Sequence, residues 1–161
     1  MTEQTLPTTA FRANVGILLM NEEGNVLALE RVAFPGAWQL PQGGLRESEE
    51  PIDAAIRELL EETGISADKI EVVSECPEWL AYELPRDKWS SKTGRGQVQK
   101  WFLLRFGGTD ANIRLDQSSE PEFRAWQWMN LAELAKTTIP FRRPIYARLA
   151  KQFAAYLRVG S

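Results

Sequence analysis

The sequence predicts an α/β fold, in which a mixed β-sheet has helices packed on its faces. The prediction depends on the order of the elements along the 161-residue chain. Short apolar runs come first, one long amphipathic segment follows, further apolar runs come next, and a second amphipathic segment ends the chain. Strands that are interrupted by one helix and followed by another are typical of a sheet covered by helices.

Two apolar runs near the start predict a β-hairpin. Residues 15–20 and 25–30 flank a short turn that contains Asn and Gly, which adopt hairpin-turn conformations readily. The next segment, residues 33–44, is rich in Pro and Gly. We therefore expect an irregular loop there, anchored by Trp38 and Leu40.

A helix is predicted next. Ser48 or Glu49 is the expected N-terminal cap, and Pro51 suits the first turn. Gly64 stands where a left-handed C-terminal cap is usual. Residues at helical spacing form a stripe that we expect to be buried: Ile52, Ala55, Ile56, Leu59 and Thr63.

Four further strands and two helices complete the prediction. The strands are expected at residues 70–74, 79–84, 98–106 and 123–129. A basic loop, residues 85–96, joins the second of these to the third. Asn130 is a suitable cap for a short helix over residues 131–136, and a longer helix is expected at about residues 143–157. One side of the longer helix carries large apolar residues: Ile145, Leu149, Phe153 and Leu157.

The composition excludes several kinds of site. The chain has no histidine and a single cysteine, Cys76. Ser-His and Cys-His nucleophile systems, an intrachain disulfide and a zinc site of several thiolates are therefore ruled out. No apolar run is long enough to span a membrane, and residues 1–10 contain an acid and no base, unlike a signal or transit peptide. We expect a cytoplasmic protein with no membrane partner.

Charge is concentrated in three segments. Residues 46–62 hold seven acidic and two basic residues. Residues 86–105 hold six basic residues and one acid, and residues 136–161 hold six basic residues and no acid. Solvated faces are one explanation for this distribution. A site that holds cations together with a polyanion is the other.

Three glutamates of the predicted helix lie at positions i, i+3 and i+4: Glu58, Glu61 and Glu62. They project from one face, beside the apolar stripe and next to the Gly-rich loop. Like charges repel each other, but carboxylate oxygens are the ligands that Mg²⁺ prefers. Gly43 and Gly44 would let the backbone pass close to such a site and offer a carbonyl. A solvated acidic face is the alternative at this point.

The longer pattern is more specific. Gly43, Glu49 and the stretch RELLEETGI at residues 57–65 match G-x(5)-E-x(7)-R-E-U-x-E-E-x-G-U at every specified position, where U is a bulky aliphatic residue. This pattern resembles the signature of the Nudix hydrolases. The resemblance implies the Nudix fold, an α/β/α sandwich with a mixed β-sheet. We expect one such domain over residues 1–161, with residues 1–10 as a flexible N-terminal extension.

The resemblance also implies a reaction and a set of residues. Nudix enzymes hydrolyse a nucleoside diphosphate linked to a further group and use divalent cations, so Mg²⁺ is the expected cofactor and Mn²⁺ an alternative. Arg57 would orient a glutamate within the catalytic group, and Glu49 would bond near the helix start. The implied metal ligands are the Gly43 carbonyl, Glu58, Glu61, Glu62 and, outside the helix, Glu122. The residue that takes a proton from water stays open among Glu61, Glu62 and Glu122.

Further segments resemble one branch of this family, which holds the bacterial RNA pyrophosphohydrolases and the plant-type asymmetric dinucleoside tetraphosphate hydrolases. The similarity covers about residues 11–157, and GQVQKWF and PEFRAW are its distinctive segments. It implies that four residues line the phosphate path: Arg12, Gln42, Gln97 and Lys100. It implies that three more hold a base by stacking and edge contacts: Arg31, Tyr82 and Phe141. Structural explanations also exist, for example a core position for each aromatic ring.

Two substrates fit the resemblance. The first is a dinucleoside polyphosphate such as diadenosine tetraphosphate, cleaved to AMP and ATP by attack of water on phosphorus. The second is the 5′-triphosphate end of RNA, left as a 5′-monophosphate. Ala13, where bacterial members commonly have proline, and the plant-like segments at residues 21–31 and 32–38 favour the first. A basic loop suits either substrate, through Lys88, Lys92 and Arg95.

Two other classes of protein stay open. One is a nucleotide-binding Nudix module without catalysis, and the other is an RNA-interaction domain whose acidic helix is incidental. We expect no DNA partner, and the sequence does not specify the oligomeric state.

Overall fold

The computed structural model describes residues 9–91 and 93–158, and in this part of the chain eight β-strands and three α-helices are formed. The strands are β1 (Phe11–Met20), β2 (Val26–Arg31), β3 (Trp38–Gln39), β4 (Gln42–Gly44), β5 (Ile70–Glu75), β6 (Leu80–Glu83), β7 (Gly96–Phe106) and β8 (Phe123–Met129). The helices are α1 (Pro51–Thr63), α2 (Leu131–Thr137) and α3 (Arg143–Gln152). Residues 1–8 of the predicted flexible extension lie outside the described residues, and the single-domain organisation stays a prediction.

The strands form one mixed sheet. β1 and β7 run parallel, from Phe11 opposite Gly96 to Met20 opposite Arg105. The other pairs are antiparallel: β2 with β1, β3 and β8, β4 with β1, and β5 and β6 with β7. The parallel pair at the centre of antiparallel neighbours confirms the predicted mixed sheet.

Helices cover both faces of this sheet. Successive side chains of a strand point to opposite faces, so Leu18 and Met20 of β1 enter one apolar layer and Ile17 and Leu19 enter the other. Residues of α2 and α3 close the first layer, and residues of α1 close the second. The predicted α/β/α sandwich is therefore confirmed.

The predicted β-hairpin is present, but its strands stay paired only near the turn. Met20 pairs with Val26, whereas Gly16 pairs with Gln42 of β4. The segment at residues 33–44, predicted to be an irregular loop, thus contributes two short strands to the sheet. Because β4 pairs with β1, it separates β1 from β2 and brings the glycine pair at residues 43–44 against α1.

Helix α1 starts differently from the prediction. The N-cap is Glu50, and within the described chain its side chain makes no capping hydrogen bond. Ser48 has a φ of 64°, and the Glu49 carboxylate accepts a hydrogen bond from the Arg46 backbone at 3.1 Å. The predicted cap at Ser48 or Glu49 is wrong, because the Glu49 side chain is bonded elsewhere. The predicted C-terminal cap is confirmed, since Gly64 is left-handed with a φ of 73°.

The C-terminal helix is shorter than predicted. α3 ends at Gln152, and the chain continues in turns rather than as a helix to residue 157. Phe153 and Leu157 are nevertheless buried in the first apolar layer, so the predicted apolar row is correct although part of it is not helical. No helix within residues 9–91 and 93–158 is long and apolar enough to cross a membrane.

Candidate active site

The acidic face of α1 lines a cleft of about 190 Å³. The opposite wall is the segment that leads into β8, and the carbonyl of Glu122 in this segment accepts the Val32 N–H at 2.9 Å. This bond ties the wall to the end of β2. Five acidic residues line the cleft: Glu58, Glu61, Glu62, Glu120 and Glu122. The structure thus brings the four predicted carboxylates together and adds Glu120, which its position two residues before Glu122 could have indicated.

Glu62 is the most constrained of these carboxylates. Its Oε2 is buried and has no hydrogen-bond partner among the described residues. Burial raises the pKa of Glu62 well above 4.5, and the charges of Glu122 and Glu58 raise it further. A buried anion without a partner is unfavourable. This oxygen therefore requires either a proton or a cation.

Arg57 joins the acidic residues to the glycine loop. Its Nε and Nη2 donate to the two oxygens of Glu49, each at 2.9 Å, and Nη2 also donates to the Gly44 carbonyl at 2.8 Å. Its Nη1 donates to Glu58 at 2.8 Å and to Glu61 at 3.5 Å. The bidentate hydrogen bond from Arg57 lowers the pKa of Glu49 to about 2. One guanidinium therefore fixes the helix start, the loop and two carboxylates of the cleft.

Gly43 lies against the Glu58 side chain, so a larger residue at this position would require that carboxylate to move. A Cβ at this position would lie 1.9 Å from Cδ of Glu58. The backbone of the loop can therefore rest directly against the acidic face. The predicted use of the Gly43 carbonyl as a metal ligand is consistent with this position and stays a prediction.

The donor set fits a hard divalent cation. Several carboxylates beside a main-chain carbonyl, with one buried oxygen unpaired, are the all-oxygen ligands that Mg²⁺ or Mn²⁺ takes. Within residues 9–91 and 93–158, no three acidic side chains already converge closely enough to enclose an ion. Arg57 accounts for this arrangement, because it holds Glu58 and Glu61 on its own side. These bonds engage one oxygen of each carboxylate, Oε1 of Glu58 and Oε2 of Glu61.

The loop that carries Gly43 is held by the C-terminal part of the chain. Three hydrogen bonds of 2.9 Å each make this connection: Thr138 Oγ1 to the Trp38 carbonyl, Arg142 Nη1 to Gln39 Oε1, and the Leu40 N–H to the Tyr146 hydroxyl. The three C-terminal residues are buried, so the bonds are shielded from water. Burial also raises the pKa of Tyr146 to about 12, which keeps its hydroxyl neutral.

A polar network lies beside this loop. Gln97 Oε1 accepts from the Tyr82 hydroxyl at 2.7 Å and from Gln42 Nε2 at 3.2 Å. Gln99 Nε2 donates to Asn14 Oδ1 at 2.8 Å and to Gln42 Oε1 at 3.3 Å. Gln42 and Gln97, both predicted to line the phosphate path, are therefore together. Asn14 and Gln99 were not predicted. Gln97 and Gln99 stand at alternate positions of an apolar strand, and this pattern was an available signal for Gln99.

Three arginines near this network have an unpaired nitrogen. The Nε atoms of Arg12, Arg31 and Arg142 are buried and lack a hydrogen-bond partner in the part of the chain described. Arg12 pairs with Gln97 across β1 and β7. Burial raises the pKa of Tyr82, and the charges of Arg142 and Arg31 oppose that rise, so both lie near its hydroxyl. Phosphate oxygens are suitable acceptors for such guanidinium groups.

Arg142 was missed by the sequence prediction. It follows Phe141 in the segment FRRPIY, and its guanidinium lies 5.2 Å from the centroid of that ring. It is 7% exposed, and an arginine so buried normally has partners; Gln39 is a partner of Nη1, whereas Nε has none among the described residues. Two successive arginines just before a helix were the available signal, but the sequence does not indicate which of them is buried.

The remaining predicted residues divide into two groups. The rings of Tyr82 and Phe141 lie against each other, with centroids 5.1 Å apart, and stacking on a base stays a prediction. Lys100 is elsewhere: its Nζ donates to the Cys76 carbonyl at 2.8 Å and pairs with Glu75 at 3.5 Å. Lys100 therefore stabilises the connection between β5 and β6. Its contact with phosphate stays a prediction, and the observed bonds to Cys76 and Glu75 do not support it.

Comparisons with known proteins agree with this geometry. The family model described as "NUDIX domain" matches residues 10–149. A protein of Acidiphilium cryptum named RNA pyrophosphohydrolase is 45% identical, and the match covers 92% of this chain and 93% of that protein. Nudix hydrolase 26, chloroplastic, of Arabidopsis thaliana is 38% identical, and the match covers 94% and 73%. A solved C. elegans Ap4A hydrolase binary complex has a TM-score of 0.68 at 21% identity, covers 90% of this chain and 99% of its own, and shows the fold.

Removal of the Tyr146 hydroxyl tests how the loop is held. Tyr146→Phe leaves the buried Leu40 N–H without its partner, so we expect the free energy of unfolding to fall by about 1–3 kcal/mol. Tyr156→Phe is the matched control, because Tyr156 is 47% exposed. Urea denaturation measures both variants. Equal stability of Tyr146→Phe and the parent chain would show that the bond contributes nothing to the loop.

The pair of Arg57 and Glu49 predicts a pH-dependent stability. Because the pKa of Glu49 is lowered from 4.5 to about 2, its ionised form stabilises the fold fully above about pH 4.5, and this contribution is lost as the pH falls towards 2. Glu49→Gln should lower the Tm at neutral pH, and its difference from the parent should narrow below pH 4.5. Thermal unfolding followed by circular dichroism measures the difference, with the exposed Glu47→Gln as control. A difference independent of pH would contradict the prediction.

Proposed function

Because this chain belongs to the Nudix family, we propose that it hydrolyses phosphoric anhydride bonds of nucleotides with Mg²⁺, or Mn²⁺ in its place. The observation that carries the proposal is the acidic cleft, in which the buried Oε2 of Glu62 lacks a partner among the described residues. Anhydride hydrolysis requires neutralisation of the charge on the phosphate oxygens and a deprotonated water near phosphorus. A chain without histidine can meet both requirements with carboxylates and a metal ion.

Different side chains of the cleft would bind the cation, position the ligands and accept a proton. The cation, when bound, neutralises charge on the anhydride and acidifies water. Glu58, Glu61, Glu62 and Glu122 with the Gly43 carbonyl would hold it. Arg57 positions Glu58 and Glu61 through its Nη1. A carboxylate of the cleft, from Glu61, Glu62 or Glu122, takes the proton of the attacking water.

The polar network and the arginines would bind the rest of the substrate. Gln42 and Gln97 offer amide groups, and the unpaired Nε atoms of Arg12, Arg31 and Arg142 offer donors for phosphate oxygens. These groups lie on the opposite side of the glycine loop from α1. The polyphosphate would therefore extend from the cleft past the loop. Phe141, beside Arg142, would hold a base by stacking.

We propose the 5′-triphosphate end of RNA as the first substrate and diadenosine tetraphosphate as the second. The A. cryptum relative, 45% identical along nearly its whole length, is named RNA pyrophosphohydrolase, and this outweighs the sequence features that favour dinucleoside polyphosphates. Both substrates present a chain of phosphates that ends at a nucleoside. The same cleft, network and ring serve either one.

Product analysis tests the proposal directly. With Mg²⁺, triphosphorylated RNA should yield monophosphorylated RNA with pyrophosphate or orthophosphate, and diadenosine tetraphosphate should yield AMP and ATP. Chelation of the metal should stop both reactions. The ratio of the two kcat/KM values measures the preference, and a larger value for the tetraphosphate would reverse the order of substrates. If folded protein left both substrates intact, the proposed function would be wrong.

Glu62→Gln separates a functional role from a structural one. The variant removes a ligand charge, so we expect the rate to fall by ~10²-fold or more. It also removes a buried unpaired charge, so the free energy of unfolding at pH 8 should stay equal or rise. Glu47→Gln, at an exposed position, should keep the parent rate. If the variant lost stability but retained the parent rate, Glu62 would contribute to folding stability and not to catalysis.

A further inference from the structure

The loop between β6 and β7, together with Phe11 at the start of β1, presents a row of aromatic rings and guanidinium groups. The guanidinium of Arg95 lies 5.2 Å from the ring centroid of Phe11 and 5.6 Å from that of Trp89, and the guanidinium of Arg86 lies 5.6 Å from Trp89. We term these four side chains the arginine–aromatic row. The outer members are at the surface: Phe11 is 38% exposed, and Arg86 is exposed.

Hydrogen bonds at their edges hold the inner members of the row. Trp89 Nε1 donates to the Leu84 carbonyl at 2.9 Å, and Arg95 Nε donates to Glu83 at 2.8 Å. The Arg95 backbone donates to the Ala10 carbonyl at 2.9 Å. The faces inside the row lie against each other, so the exposed surfaces of Phe11 and Arg86 at its two ends are what the row offers a ligand.

The row adjoins the groups that would bind phosphate. Phe11 directly precedes Arg12, and Arg95 comes two residues before Gln97, while Arg12 and Gln97 pair across β1 and β7. Arg12 also donates to the Ser91 carbonyl in the same loop. Successive side chains of a strand point to opposite faces, so it is the bond to Ser91, not the adjacency of Phe11, that brings the Arg12 side chain against the loop of Trp89 and Arg95.

We propose that the arginine–aromatic row binds unpaired nucleotides of an RNA whose 5′ end lies in the active site. Alternating aromatic and cationic groups beside a phosphate site are typical of surfaces for single-stranded nucleic acid, because every base has a face that stacks. The acids Glu83 and Asp87 offset part of the local positive charge. Lys92 of the same basic loop lies outside the described residues.

This inference rests on the proposed function and selects between its substrates. A dinucleoside tetraphosphate carries one nucleoside at each end and has no further chain. An RNA continues beyond its first nucleotides, so its unpaired bases can stack on the exposed members of the row, Phe11 and Arg86. The row should therefore raise kcat/KM for longer RNAs. It should contribute little to kcat/KM for a dinucleotide.

The test compares triphosphorylated RNAs of two lengths, an unpaired ten-nucleotide chain and a dinucleotide. In the parent chain, kcat/KM should be higher for the longer RNA, through a lower KM. In the variant that combines Phe11→Ala with Arg86→Gln, the ratio of the two kcat/KM values should fall by about tenfold, because stacking contacts are lost. Arg105→Gln is the control, since it removes an exposed arginine at the other end of β7 and should leave the ratio unchanged.

A binding measurement keeps the inference testable without turnover. Fluorescence anisotropy with a labelled ten-nucleotide RNA that bears a 5′-hydroxyl removes the contacts of the triphosphate, and the double variant should bind this RNA about tenfold more weakly than the parent. An unchanged ratio together with unchanged RNA affinity would overturn the inference, while cleavage of the dinucleotide would leave the proposed function intact. If neither RNA were cleaved, the proposed function would fail, and the anisotropy result would still decide whether the row binds RNA.

Discussion

The paired hydrogen bonds between Arg57 and Glu49 are the interaction on which the rest of the site depends. Helix α1 places three carboxylates on one face, where like charges repel each other. The guanidinium of Arg57 offsets this repulsion at Glu58 and Glu61, and the same group holds the Gly44 carbonyl and the chain before the helix. Without a metal ion, Arg57 acts as the counter-charge. Arg57 therefore sets the position of both carboxylates through one oxygen of each.

β1 and β2 separate beside the glycine loop, so carboxylates on one face of the sheet lie close to groups on its other face. β4 pairs with β1 where a continuous hairpin would have paired β2, and Glu62 lies close to the Gln42 backbone at this point. The C-terminal segment closes the gap by binding the loop through Arg142 and Tyr146. The loop is therefore fixed from both faces of the sheet, by Arg57 on one and by the C-terminal residues on the other.

Local features of this molecule were predictable, and distant pairings were not. The spacing of Glu58, Glu61 and Glu62 fixes their common face, and Gly64 ends the helix as a glycine cap does, because both depend on neighbours within one or two turns. The predicted cap of α1 failed because Arg57, eight residues from Glu49, binds that carboxylate. The contacts of Arg142 with Gln39 and of Tyr146 with Leu40 join residues more than 100 positions apart. Neither periodicity nor propensity encodes such pairs, so the sequence alone did not reveal Arg142.

The unpaired groups on the two sides of the glycine loop have opposite charge and do not neutralise each other. Glu62 lies on one side with a buried oxygen unbonded, and the Nε atoms of Arg31 and Arg142 lie on the other, also without partners in the described part of the chain. Each is unfavourable by itself, because a buried polar group without a hydrogen bond destabilises the fold. A direct ion pair would remove the instability and would also block the site. A polyphosphate with its divalent cation, the ligand of the proposed function, would offer positive charge to one set and anionic oxygens to the other. The free protein carries this instability, and such a ligand would remove it.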